Sequence, residues 1–124
     1  MTDAVIVTMS RYPDGDAGAL RMHALAIMLR HIGVSPFVIG LGTPTLGQGE
    51  VHEGIPYISL RSSRTTRAAR IFNHADHARR LERALHSLGK IDIFLCDQVP
   101  LASLVLLGRA SERQSGVIIY DAVE

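Results

Sequence analysis

Short apolar segments alternate with longer segments of helical character along this chain. The first, Ala4–Met9 (AVIVTM), is nearly continuous and rich in β-branched residues, as expected of a strand buried on both faces. Similar patterns predict five strands: Ala4–Met9, Pro36–Leu41, Tyr57–Leu60, Ile91–Cys96 and Gly116–Asp121. Helices are predicted at Ala17–Ile32, Ile71–Leu88 and Pro100–Glu112.

This alternation of strands and helices predicts an α/β fold. Only the second and third strands are joined without a predicted helix. The order is typical of a Rossmann-like, doubly wound parallel sheet of about five strands, with helices on both faces in three α/β/α layers. The length of 124 residues fits one domain, residues 1–124.

Capping residues and loop composition set the expected ends of these elements. Asp16 is a candidate N-cap of the first helix, and Gly33 follows its last turn as a C-cap. Nearly every residue in Ala24–Leu29 is apolar, so we expect this helix to be covered almost all round. Gly42–Gly54 is predicted to be a loop, and Arg61–Arg70 a loop or an irregular helix.

Composition argues against several classes of function. Hydrophobic residues make up 47% of the chain, enough for a core, and the net charge of +1 gives no general case for a nucleic-acid partner. There is no Trp, and aromatic residues are scarce, which disfavours stacking on single-stranded nucleic acid. The single Cys96 excludes an internal disulfide and fits a reducing compartment. Without a signal-peptide pattern or a membrane-length apolar run, we expect a cytoplasmic protein.

Ligands of open parallel sheets bind beyond the carboxyl ends of the strands, so the segments that follow strands are the candidate sites. Gly15-Asp16-Ala17-Gly18 lies at the mouth of the first helix, where backbone amides can approach an anion or a sugar closely. A tight turn that simply needs glycine explains the same residues. The dinucleotide fingerprint GxGxxG and the phosphate loop GxxxxGK[ST] are both missing.

Charged residues near the strand ends are further candidates. Arg21 could bind a phosphate or carboxylate, although the sequence alone favours the interpretation of Arg21 and His23 as solvated residues of a helix. Asp97 and Asp121 directly follow strands, where a carboxylate can orient sugar hydroxyls or act as a base. As alternatives, Asp97 caps the next helix and Asp121 is an ordinary polar residue.

Arginines recur every third residue at Arg61, Arg64, Arg67 and Arg70, within a stretch that has an excess of positive charge. They could contact lipid headgroups or a phosphorylated acceptor, or form a solvated loop. No metal site is predicted. His74 and His77 have the spacing of a helical ligand pair, but no second pair accompanies them; these and His86 are expected at the surface, with Cys96 in the core.

Two stretches resemble the retaining glycosyltransferases of the glycogen-synthase-like superfamily, group 1, which have the GT-B fold. In residues 12–42, YPDGDAGALRMHALAIMLRHIGVSPFVIGLG, a Gly-rich loop leads into a helix of small and apolar residues and then a strand. In residues 91–124, IDIFLCDQVPLASLVLLGRASERQSGVIIYDAVE, a strand with a polar end leads into an aliphatic helix and a strand ending in Asp-x-x-Glu.

The resemblance implies an acceptor-binding N-terminal domain that faces a donor-binding C-terminal domain, here missing, across a cleft. It places Gly15, Asp16, Ala17 and Gly18 in the cleft, with Arg21, Asp97 and Asp121 as further cleft candidates. The His that several relatives carry near the end of the fifth strand falls at Asp121, Ala122 or Val123 here, and Asp121 is the candidate catalytic residue. It implies transfer of a sugar from a nucleotide-sugar to a sugar or lipid-linked acceptor with retention and without a metal, and peripheral membrane contact through Arg61–Arg83. We therefore expect the natural protein to continue beyond Glu124, and the isolated chain to be inactive.

Two other interpretations stay open from the sequence. One is a stand-alone α/β ligand- or nucleotide-binding module that acts through a partner. The other is a membrane-docking or interaction domain that uses the Arg-rich segment.

Overall fold

The computed structural model describes residues 2–9, 12–13, 17–41, 50–60, 69–97, 99 and 101–120, with the backbone alone for 69–77, 101 and 102. The strands are β1 (Ala4–Thr8), β2 (Pro36–Gly40), β3 (Glu50–His52), β4 (Ile55–Ser59), β5 (Ile93–Cys96) and β6 (Val117–Tyr120). The helices are α1 (Ala17–His31), α2 (Ala69–Leu88) and α3 (Leu101–Arg113). Within the described residues, no helix is both long enough and apolar enough to cross a bilayer.

The strands form one sheet in the order β3-β4-β2-β1-β5-β6. Every neighbouring pair is parallel except β3 and β4, which are antiparallel. The predicted Rossmann-like, doubly wound α/β fold is confirmed. Its five parallel strands follow the 3-2-1-4-5 order of that fold when counted along the chain.

A short sixth strand corrects the sequence prediction. The segment Gly42–Gly54 was predicted to be a loop, but its end forms β3, which pairs with β4 through a two-residue turn. Both turn residues have positive φ, +50° at Glu53 and +83° at Gly54, as two-residue hairpin turns of this hand require. Glutamate rarely adopts that conformation, which is why the pattern was missed.

Two apolar layers cover the sheet. On one face, Ile6, Val38, Tyr57 and Leu95 pack with Met22 and Ala26 of α1. On the other face, alternate residues of the same strands pack against α2 and α3; the central members are Val5, Val7, Ile39, Phe94, Leu81, Leu85 and Leu107. Because side chains alternate along each strand, continuous apolar strands supply both layers.

Helix α1 is buried along one stripe only, which corrects the prediction that it is covered almost all round. Ala19, Met22 and Ala26 are buried at the three- and four-residue spacing of one helix face. On the other sides, Leu20 and Met28 are 67% and 62% exposed, and Ile32, just after the helix, is 74% exposed. Helix α1 therefore carries more apolar side chains than its buried face accommodates.

Strand β6 lies at the edge of the described sheet and is exposed along its whole length. Its register with β5 is regular, from Ile93 opposite Val117 to Cys96 opposite Tyr120. Even so, none of its four side chains, Val117, Ile118, Ile119 and Tyr120, is buried within the described part of the chain. The strand thus presents an uncovered apolar surface.

Candidate functional site at the carboxyl edge of the sheet

The point where the strand order reverses lies between β1 and β5. From β1 the chain passes through α1 to β2 on one side, whereas α2 carries it from β4 to β5 on the other side. In open α/β sheets such a switch point opens a crevice beyond the carboxyl ends of the strands, and ligands bind there. Thr8 is the last residue of β1 and Met9 follows it, while Asp97 directly follows β5.

Asp97 is fixed at this crevice by two groups of the neighbouring strand. It is 6% exposed, and its Oδ2 accepts a hydrogen bond from the Thr8 hydroxyl at 2.5 Å. Its Oδ1 accepts one from the Met9 backbone N–H at 3.1 Å. The side chain therefore ties the end of β5 to the end of β1, and these two bonds are made to β1 rather than to the start of α3.

The neighbouring thiol of Cys96 is a core group, as predicted. Cys96 is fully buried at the end of β5. Burial, with a smaller contribution from the negative charge of Asp97, raises the pKa of Cys96 to about 11. The thiol is therefore protonated at neutral pH and is a poor nucleophile.

A second group of polar side chains links α1 to the β3–β4 hairpin. The Tyr12 hydroxyl is 2.7 Å from His23 Nδ1, and His23 Nε2 is 2.9 Å from Glu53 Oε2. The His52 ring centroid lies 4.7 Å from that of His23 and 6.0 Å from that of Tyr12. We call Tyr12, His23, His52 and Glu53 the histidine cluster.

The members of the histidine cluster differ in burial and charge. Tyr12 is fully buried, and burial, followed by the nearby Tyr57 and Glu53, raises the pKa of its phenol well above the ordinary value. The side chains of His23 and Glu53 are 14% and 67% exposed. The hydrogen bond from His23, and then the charges of His23 and His52, lower the pKa of Glu53. The cluster thus runs from a neutral buried phenol to a solvent-facing carboxylate.

The hairpin is held against α1 by one more contact. Arg30 Nη1 donates to the backbone oxygen of Glu53 at 2.9 Å. A Cβ atom at Gly54 would displace the end of the Arg30 side chain, and the φ of +83° also favours glycine there. Two side chains of α1, His23 and Arg30, therefore both contact the hairpin at Glu53.

The structure describes only some of the residues predicted to form the site. Ala17 and Gly18 begin α1, Arg21 is exposed one turn further along that helix, and Asp97 lies at the switch point. Arg70 lies in α2, where the backbone alone is described. The other predicted residues fall outside the described part of the chain: Gly15, Asp16, Arg61, Arg64, Arg67 and Asp121.

Sequence reasoning missed Thr8, His52 and Glu53. Thr8 is the polar residue that ends an otherwise apolar strand, and the parallel position of Asp97 after another strand is a signal that could have paired them. His52 and Glu53 lie in a segment predicted to be a loop, so nothing indicated that they would face His23. The feature that could have indicated the hairpin is the pair Glu53-Gly54, which lies between two short segments that form strands.

A surface cavity of about 520 Å³ lies elsewhere, between the C-terminal ends of α2 and α3. Its polar lining includes Glu82, His86, Lys90 and Arg113. Cations in the last turns of helices are expected because they complement the helix dipole. The cationic side chains of this lining are therefore explained without a ligand.

Comparison with known proteins bears on the fold. No protein-family model matches the chain, and no curated protein matches it by sequence. Among solved structures, the chain is similar to the C-terminal domain of the PF1911 hydrogenase from Pyrococcus furiosus, with a TM-score of 0.68 and 12% sequence identity. The match covers 96% of this chain and 91% of that domain. At such low identity the likeness places the chain in the class of Rossmann-like α/β domains and says nothing of its activity.

Proposed function

We propose that this chain is the acceptor-binding half of a glycosyltransferase that transfers a sugar from a nucleotide-sugar donor with retention. The observation that carries the proposal is the Asp97 carboxylate, held at the switch point by Thr8 and Met9. A negatively charged side chain that is fixed at the crevice where ligands of this fold bind can accept a hydrogen bond from the hydroxyl group of the acceptor sugar. Asp97 is such a group.

The hydrogen-bonding capacity of Asp97 supports this role. A carboxylate offers about four lone-pair positions, and the Thr8 hydroxyl and Met9 N–H account for two of them. The remaining positions can accept a sugar hydroxyl without loss of either bond. Because the donors from β1 hold the carboxylate in one orientation, little side-chain entropy is lost when an acceptor binds.

The start of α1 supports the accompanying donor contact. Ala17 and Gly18 begin this helix after β1, so its backbone amides and the positive end of its dipole lie at the carboxyl edge of the sheet. In the proposed enzyme, these amides, together with Gly15 and Asp16, stabilise the leaving diphosphate of the donor. Asp121, which follows β6 in the sequence, is the proposed catalytic group.

One surface feature of the described residues supports a larger assembly. The uncovered apolar side chains of β6 are a surface on which a further element or domain can pack. In the proposed enzyme the donor half is separate from this chain, so the chain alone has no catalytic activity. Arg61, Arg64, Arg67 and Arg70 are the proposed contacts to a lipid-linked acceptor or an anionic membrane surface.

The test is a nuclear magnetic resonance titration of the ¹⁵N-labelled chain with free sugars, sugar phosphates and nucleotide-sugars. Acceptor sugars or sugar phosphates are expected to bind with about millimolar affinity, near −4 kcal/mol, and to shift the amides of Thr8, Met9 and Asp97. Asp97→Asn should abolish these shifts while the spectrum stays folded. Asp92→Asn, an exposed carboxylate before the other end of β5, is the matched control and should bind normally.

Other results would favour the alternatives. Micromolar binding of nucleotides at the same amides, without sugar binding, would identify a stand-alone nucleotide-binding module. Salt-sensitive co-sedimentation with anionic vesicles, with no sugar binding, would identify a membrane-docking domain. Sugar transfer by the purified 124-residue chain would contradict the need for a donor half. A natural gene product that ends at Glu124 would favour the stand-alone binding module over the glycosyltransferase.

A further inference from the structure

The histidine cluster contains three side chains that can each offer a metal ligand atom. Within the described residues, one ligand atom each from His23, His52 and Glu53 can be chosen so that all three lie within 4.8 Å of one another. The residues come from two elements, His23 from α1 and the other two from the β3–β4 hairpin. A metal bound there would join parts of the chain that are 29 residues or more apart in sequence.

One of the separations is close to that of two ligands on a single ion. His23 Nε2 and Glu53 Oε2 are 2.9 Å apart. Zinc binds imidazole nitrogen and carboxylate oxygen at about 2.0–2.2 Å, so two ligands of a tetrahedral ion are about 3.3 Å apart, and these two atoms need to separate by only a few tenths of an ångström. The His52 ring is next to the His23 ring, with centroids 4.7 Å apart, and its ligand atom is within 4.8 Å of those of His23 and Glu53.

Tyr12 supplies the outer contact that a metal-bound histidine needs. When Nε2 of a histidine binds a metal, Nδ1 carries the proton and donates it to a fixed oxygen, which sets the orientation of the ring. The Tyr12 hydroxyl is 2.7 Å from His23 Nδ1 and is fully buried between α1 and the sheet. When an ion takes Nε2, the proton of the neutral imidazole is carried on Nδ1, and the Tyr12 hydroxyl keeps its own proton and turns from donor to acceptor, so the same geometry suits both the metal-free and the metal-bound state.

The histidine cluster is accessible from solvent, and its ligand types favour some metal ions over others. Glu53 is 67% exposed and His52 is partly exposed, so the site opens to solvent. The nearby Arg30 guanidinium is engaged by the Glu53 backbone oxygen, and its positive charge weakens the attraction for a cation. Two neutral imidazoles and one carboxylate are borderline ligands that suit Zn²⁺ better than Ca²⁺ or Mg²⁺, which prefer oxygen.

We infer that His23, His52 and Glu53 form a zinc site that fastens the β3–β4 hairpin to α1, with Tyr12 orienting His23 and water at the fourth position. The site concerns residues that the proposed sugar-transfer role does not use, so either proposal can fail alone. The proposed site does not include His74, His77 or His86, the histidines considered from the sequence.

The experiment is a competition titration of the metal-free, tag-free full chain with Zn²⁺ against a chromophoric chelator. One equivalent of Zn²⁺ is expected to bind, and Co²⁺ in its place should show the visible absorption of a low-symmetry, four-coordinate ion. His52→Gln and Glu53→Gln should each weaken zinc binding by at least about tenfold, since even outer-shell changes cost about 10- to 100-fold. The thermal midpoint should rise with zinc in the wild type and not in these variants.

Two controls separate this site from other histidines. His31→Gln changes an exposed histidine on the same helix and should leave the affinity unchanged. The double variant His74→Gln/His77→Gln removes the helical pair on α2 and should also bind normally. Because Glu53 is largely exposed, Glu53→Gln is expected to fold, and circular dichroism checks this.

The inference is overturned if the wild type takes up no zinc, or if His52→Gln and Glu53→Gln bind as tightly as the wild type. It is also overturned if zinc binding disappears in the His74→Gln/His77→Gln variant. The hydrogen bonds among Tyr12, His23 and Glu53 would then serve only to join the hairpin to α1.

Discussion

The contact between Thr8 and Asp97 gives the sharpest prediction for the stability of the switch point. Thr8→Val replaces the hydroxyl by a methyl group of similar size and removes the donor that lies 2.5 Å from Asp97 Oδ2. Both side chains are buried, Thr8 completely and Asp97 to 6% exposure, so water cannot readily replace the lost donor. The variant therefore leaves a buried carboxylate oxygen with one partner fewer.

The expected cost is about 2 kcal/mol. Hydrogen bonds to charged groups contribute about 1.5–3 kcal/mol, and a buried group left without its partner loses a similar amount. Thr8→Ser, which keeps the hydroxyl and removes a buried methyl, should cost about 0.5–1.5 kcal/mol through packing alone. The two variants thus separate the hydroxyl from the methyl group.

Urea unfolding followed by circular dichroism measures both variants. With a slope of about 1–3 kcal/mol per molar urea, a loss of 2 kcal/mol lowers the midpoint by about 1 M. In an Asp97→Asn background, Thr8→Val should cost less, because a neutral amide loses less than a carboxylate when a donor is removed. A cost for Thr8→Val below about 0.5 kcal/mol, or the same cost in both backgrounds, would refute this account of the pair.

Further predictions concern two glycines and the thiol. Gly108→Ala, in α3 with open space around the new Cβ, should stabilise the fold by about 0.5–1 kcal/mol. Gly116→Ala places a Cβ 3.0 Å from the Asp92 carbonyl oxygen and should destabilise the fold by about 1–3 kcal/mol. Thermal unfolding of the two variants tests these opposite signs. Because the pKa of Cys96 is raised to about 11, its reaction with an aromatic disulfide at pH 8 should be at least about 100-fold slower in the folded chain than in urea. The unfolded thiol loses its proton first, so the stability supplied by the protonated Cys96 should fall as pH rises from about 8.5 towards 11, and Cys96→Ala should remove that part of the decline.

The fold was predictable from the sequence because its strands and helices have strong, separate patterns. Continuous apolar strands such as Ala4–Thr8, followed by long helices, leave few arrangements other than a doubly wound sheet. The hairpin was not predictable, since it depends on a glutamate with positive φ, which the contact with Arg30 and the pairing of β3 with β4 stabilise. Local propensity opposes that turn, and tertiary contacts decide it.

The candidate site was predictable in position but not in detail. Asp97 follows a strand, and the carboxyl-edge rule selects it from the sequence alone. Its partners were hidden, because Thr8 is 89 residues away and nothing local marks it as a neighbour. The histidine cluster was hidden for the same reason: α1 and the hairpin are separated by β2 in the chain and meet only after the sheet forms.

The carboxylates of Glu53 and Asp97 differ in the desolvation cost of folding, and this difference bears on their roles. The exposed Glu53 carboxylate can keep much of its hydration, so Glu53→Gln is expected to change stability little and metal binding greatly. Asp97 is buried, and its two hydrogen bonds to β1 replace only part of the water it loses, so the folded chain bears a desolvation cost at the end of β5. An apolar residue there would avoid that cost, since β1 and β5 are already joined by their parallel ladder. In the proposed function, the acceptor hydroxyl uses the remaining hydrogen-bonding positions of this carboxylate and so offsets part of that cost.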